Sequence, residues 1–96
     1  MNRTQTLDTA KEIVNGARQE NYGSPESNFA KIATYWSSYL NRRVESYDVA
    51  IMMILMKVAR LQNRIDHEDS WVDICGYAAN GCEITSNWFN TETVSD

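Results

Sequence analysis

Val49 to Met56, reading VAIMMILM, is an unbroken run of eight apolar residues in a chain of 96, and any fold must find cover for it. Ser46 precedes it and Lys57-Val58-Ala59-Arg60-Leu61 continues it. A serine cap and that continuation predict a helix from Tyr47 to about Asn63. The β-branched residues alternate with Met and Leu, so a buried strand is the competing reading, and length favours the helix. A helix apolar on every side lies in the centre of a core or is shared between subunits. One small core can hardly surround it, so an oligomer, at least a dimer through this helix and the next, is expected.

Three further helices are predicted, and no strand. The first runs from Leu7 to about Ala17 with Thr6 as its cap, and Leu7, Ala10, Val14 and Ala17 fall at helical spacing. Ser24-Pro25 starts the second, with Ser as cap and Pro in the first turn. It runs to about Leu40 behind a stripe of Phe29, Ile32, Ala33, Trp36, Tyr39 and Leu40, and Asn41 to Glu45 form the turn. The fourth starts near Asp66 or His67 and reaches about Trp88, with Trp71, Ile74, Cys75, Ala78 and Cys82 as its apolar face. Gly76, Ala78, Ala79 and Gly81 are small enough to let another backbone approach; a glycine in a helix costs about 1 kcal/mol against alanine, which implies a packing or ligand reason. The expected fold is a single all-α domain over residues 1–96 with four helices, frayed at 1–5 and 90–96.

A formal net charge of -4, with no basic run longer than Arg42-Arg43, argues against binding a nucleic-acid polymer. The eight-residue apolar run is far short of the roughly 20 needed to span a bilayer, and the N-terminal stretch has no signal-peptide core. A soluble, cytoplasmic protein is the expectation. Cys75 and Cys82, seven positions apart on one helix, would stand about 10 Å apart, too far to bridge each other.

Charged residues at core-like positions carry the chemistry. Lys57 and Arg60 share a face of the third helix, and Asp69 and Asp73 share a face of the fourth. An unpaired buried charge costs several kcal/mol, so these groups must pair or hold a ligand. Ion pairs across the helix hairpin are one reading. A phosphate-binding pair is the other, which suits arginine geometry. Asp69 and Asp73 could hold Mg²⁺ through a few carboxylates and waters, and they equally suit the positive end of a helix. His67 reads as a cap or surface residue rather than a base. Arg18 to Ser24 forms a polar loop before a helix N-terminus, where Arg18 and backbone N–H groups could receive an anion and Tyr22 could stack on a base.

Three blocks, ENYGSPESNFAKIA, YDVAIMMILMKVARL and HEDSWVDICGYAANGCEI, resemble a family of small uncharacterised phage proteins. More distantly the chain is similar to phage domains associated with nucleotide modification and to the all-α, MazG-like nucleoside triphosphate pyrophosphohydrolases. The resemblance implies a MazG-like four-helix domain. It also implies Mg²⁺ held by two carboxylate pairs, of which Asp69 and Asp73 match the second at a spacing of four rather than three. The first pair is missing. Asp48, the only acid on the central helix before Asp66, lies about 180° around it from Lys57. Cations where metal ligands would stand keep affinity for anions and lose the metal chemistry. The expected function is therefore a non-catalytic phage binder of a nucleotide-type small molecule, sequestering it as a sponge for a host defence signal, with no cofactor. Lys57, Arg60 and Arg18 would contact phosphate; Tyr22, Trp71 or Tyr77 would contact a base; Asp69 and Asp73 would line the site. The alternatives are a Mg²⁺-dependent pyrophosphohydrolase using Asp69 and Asp73, and a protein-interaction module using the third helix with Trp88 and Phe89.

Overall fold

The computed structural model describes residues 1–16 and 23–89. Among these residues there are four helices and no strand: α1 (Arg3–Asn15), α2 (Pro25–Leu40), α3 (Ser46–Asn63) and α4 (Glu68–Phe89). The expected all-α architecture is present. The C-terminal segment 90–96 and the loop residues Arg18 and Tyr22 lie outside the described residues, as does Ala17, the expected end of the first helix.

The helix starts follow hydrogen-bonding side chains, and three of them differ from the expectation. α1 begins at Arg3 because Asn2 caps it. The Asn2 side-chain oxygen accepts the Gln5 N–H at 2.8 Å while the Gln5 side-chain oxygen accepts the Asn2 N–H at 2.8 Å. This reciprocal capping box satisfies two donors that would otherwise lack partners, so most of the segment expected to fray is helical. Thr6, the expected cap, lies inside the helix and donates its hydroxyl to the Asn2 carbonyl at 2.8 Å. α3 starts at Ser46 rather than after it: Glu45 is the cap, and the Asp48 carboxylate reaches back to accept the Glu45 N–H at 2.9 Å. α4 starts at Glu68, with His67 before it. The His67 carbonyl accepts the Ser70 N–H at 3.1 Å.

α2 matches its expected bounds. Ser24 Oγ accepts the Ser27 N–H at 3.2 Å, and Pro25 opens the helix. It ends at Asn41, which takes the left-handed conformation with φ 51° that asparagine tolerates. Ser37 then fixes the turn, its hydroxyl accepting the Val44 N–H at 2.8 Å and donating to the Val44 carbonyl at 3.2 Å.

α3 and α4 form the central antiparallel hairpin, with α2 packed on α3 and α1 packed on α4. The core gathers Phe29 and Ala33 from α2, Val49 and Ala50 from α3, and Tyr77 and Ile84 from α4. Two glycines allow the close approaches. A Cβ on Gly81 would stand 3.1 Å from Ala50 Cβ, and one on Gly76 would stand 3.2 Å from Val14 Cγ1. The packing reason expected for these glycines is present, whereas Ala78 and Ala79 face outward.

α4 turns a different face inward from the one expected. Ser70, Tyr77, Asn80 and Ile84 are buried along one line with Asp73, while Trp71, Ala78 and Cys82 are exposed and Ile74 and Cys75 half-buried. The more polar stripe is the inner one, because it carries the partner for Lys57 and the large Tyr77 ring that fills the core. On α2 the expected stripe holds at Phe29 and Ala33 but not at Tyr39, which is 89% exposed. On α1, Ala10 is buried and Leu7 is not. The apolar run of α3 is only half covered within the chain: Val49 and Ala50 are buried, and Ile51, Met52, Leu55 and Met56 are exposed.

Candidate functional site

The hairpin sets the geometry of the charged cluster. Antiparallel pairing brings the fourth turn of α3 opposite the second turn of α4, and Lys57 Nζ lies 2.9 Å from Asp73 Oδ2. The Lys57 side chain is 14% exposed and that of Asp73 is 33% exposed. An ammonium this covered needs the carboxylate, and Asp73 supplies it across the helices. Asp73 borders a cavity of about 10 Å³ between α1 and α4, lined also by Gly76, Tyr77 and Asn80 and by Ala10 and Val14. That is about the least space one water can occupy.

The other expected site residues are distributed around this pair. Arg60 is exposed on the next turn of α3 and takes part in none of the ion pairs among the described residues. Asp69 is exposed and lines an open depression of about 560 Å³ with Arg64, Asp66, His67 and Glu68. Trp71 stands on the outer side of α4, its indole N–H donating to the Ile65 carbonyl at 2.9 Å. Its ring borders a groove of about 390 Å³ with Arg3, Thr6, Leu7, Glu68 and Cys75. Tyr77 is buried, its ring 6.3 Å from that of Phe29 and tilted by 40°. The structure thus joins Lys57 with Asp73 and keeps Tyr77 one turn away in the core. Arg60, Asp69 and Trp71 occupy separate surfaces.

Two buried polar residues escaped the sequence reading, Ser70 and Asn80. Their signal was the alternating three-and-four spacing they share with Asp73, Tyr77 and Ile84. His67 Nδ1 lies 2.8 Å from Ser70 Oγ. Ser70 is fully buried, so this contact pins the start of α4 and offers no accessible nucleophile. Among the described residues no three His, Cys, Asp or Glu side chains gather closely enough to hold a metal ion. Asp48, which caps α3 through Oδ2 and stands about 180° around the helix from Lys57, does not supply the missing carboxylate. Cys75 and Cys82 are free thiols. No helix of the described residues is long and apolar enough to cross a membrane.

Fold and site define an all-α domain, with four helices among the described residues and the Lys57–Asp73 pair between the two central ones. By sequence the chain belongs to the family described as "Domain of unknown function (DUF6378)", whose model matches residues 5–85. It is similar to the "Gene 55 protein" of Mycobacterium phage D29, 45% identical over 76 residues, covering 79% of this chain and 49% of that protein. It is also similar to the "Gene 55 protein" of Mycobacterium phage L5, 50% identical over 74 residues, covering 75% of this chain and 47% of that protein. The chain therefore spans about half the length of the curated relatives it matches. No solved structure matches.

Proposed function

We propose that this domain binds a nucleotide or nucleotide-derived anion and holds it without cleaving it. The observation that carries the reading is the unequal use of the α3 cations. Asp73 neutralises Lys57, while Arg60 on the next turn keeps its charge exposed, with none of the ion pairs among the described residues to satisfy it. A guanidinium beside an anchored ammonium is a ready fork for phosphate oxygens. The donor set argues for holding over cleaving: pyrophosphate hydrolysis of the MazG-like kind relies on clustered carboxylates to hold metal, and the described residues bring no such cluster together. A family with phage members suits a sponge that withdraws a host signalling nucleotide, and an oligomer of a MazG-like fold would supply further walls for the site.

Calorimetry with a panel of linear and cyclic nucleotides in EDTA tests the proposal. Binding of one ligand class is expected, weakened about tenfold or more by Arg60→Ala with no change in the unfolding midpoint. Absence of heat with every nucleotide sinks it. Pyrophosphate release that requires Mg²⁺ and disappears in Asp73→Asn would favour the hydrolase instead.

A second reading, a protein-interaction module, is favoured by the exposed apolar side chains of α3. Trp88 and Phe89 contribute less to it. They pack on Tyr47, with ring centroids 5.8 Å away in each case.

A further inference from the structure

Two apolar seams face outward on neighbouring helices. On α3, Ile51, Leu55 and Val58 are exposed, Leu55 by 60%. On α4, Trp71, Ala78 and Cys82 are exposed, with the half-buried Cys75 between them. Both seams advance in steps of four and three, the spacing of helices that pack knobs into holes. The N-terminal part of α1 flanks the Trp71–Cys75 end of the α4 seam across the groove they share, and the main contacts of α1 and α2 lie on the other side of the hairpin. α1 meets α4 through Val72, Gly76 and Asn80, and α2 meets α3 through the cluster of Phe29, Ala33 and Val49. On helical wheels the two seams therefore fall on the same side of the hairpin, opposite the main contacts of α1 and α2.

We propose that a second copy of this chain covers this face, hairpin on hairpin, about a two-fold axis perpendicular to the helices. In that arrangement α3 lies antiparallel to its counterpart, so Ile51 meets Val58 of the partner subunit and Leu55 meets itself near the axis. The seam is self-complementary at its ends. Asp48 and Gln62 continue it in the two directions, and antiparallel pairing sets carboxylate acceptor against amide donor. Charge chooses between the two possible two-fold arrangements. At the hairpin tip Arg64 pairs with Asp66 and the Met1 ammonium with Glu68, which leaves Asp69 as the acid outside the ion pairs among the described residues, while Arg42 stands exposed at the other end. The perpendicular axis separates the two acidic tips and brings each towards the partner's arginine turn. An axis along the helices would press the tips together within a Debye length.

This inference is independent of the nucleotide reading, and its test needs no ligand. Sedimentation of the full chain at micromolar concentration is expected to give twice the 11.0 kDa chain mass, and Leu55→Asp to raise the dissociation constant about tenfold or more. Orientation is read by disulfide trapping in a Cys75→Ala, Cys82→Ala background. An equimolar mixture of Ile51→Cys and Val58→Cys chains should form a linked dimer, whereas each alone leaves its thiols about 10 Å apart. A monomeric mass for the native chain overturns the proposal, and so does a dimer in which the mixed pair fails to link. If Leu55→Asp unfolds, the trapping experiment alone decides.

Discussion

Lys57 shows how one residue can satisfy two readings of the same sequence. Its place on an apolar helix demanded a partner or a ligand, and Asp73 is the partner at 2.9 Å. The pair is neither fully buried nor free in solvent. Removing one member of a buried pair costs about 3–5 kcal/mol, whereas surface pairs contribute about 0–1 kcal/mol. The partial exposure of Asp73 places this pair between those limits, so Lys57→Met or Asp73→Asn should each destabilise the domain by about 1–2 kcal/mol. The double change Lys57→Met with Asp73→Asn should recover most of the loss, because no charge is left behind. Urea unfolding of the four proteins gives the coupling energy directly, and additive losses would show that the contact is incidental. Arg60 is the internal contrast: exposed and outside that pair, it should be neutral to stability when replaced by alanine.

At the scale of the helices, contact distance at two glycines decides how tightly the layers close. Alanine in place of glycine favours a helix by about 1 kcal/mol, and overpacking typically costs about 1–3 kcal/mol. At Gly81 the neighbour is Ala50 Cβ, fixed to the backbone of a buried helix, so relief requires α3 and α4 to move apart. Gly81→Ala should therefore lose about 1 kcal/mol net in thermal unfolding, and adding Ala50→Gly should restore it. At Gly76 the neighbour is the Val14 side chain near the end of α1, which shifts more easily, and Gly76→Ala should stay within about 0.5 kcal/mol of the native chain. Helix number and type were legible in the sequence because turn and cap residues punctuate it clearly, Ser24-Pro25 above all. Starts were less legible, since caps made by Asn2 and Glu45 depend on a partner side chain three residues on. The face of α4 was misread for a different reason. Its sequence carries two stripes, and hydrophobicity alone selected Trp71, Cys75, Ala78 and Cys82. Burial of Ser70 and Asn80 becomes sensible only once the hairpin aligns Asp73 with Lys57. The candidate site was legible only as one pair, because spacing along a helix says which residues share a face and not which faces meet.

For the whole molecule, the arrangement of neighbours is uneven. α4 touches each of the other three helices, whereas α1 packs on α4 and on no other helix among the described residues. Its anchorage rests on Ala10, half-buried Val14 and the close approach over Gly76, while Leu7 remains largely in solvent. A body held along a single edge opens at less cost than the bundle it leans on. Amide hydrogens of α1 should therefore exchange at free energies well below those of α3 and α4, and native-state exchange with mass-spectrometric readout checks this; equal protection in all three helices would contradict it. Because α1 roofs the small cavity beside Asp73, its undocking would admit solvent to the inner flank of the ion pair without unfolding the hairpin. In that motion the first helix would be a door leaf hinged on α4, with the Asp73 carboxylate behind it.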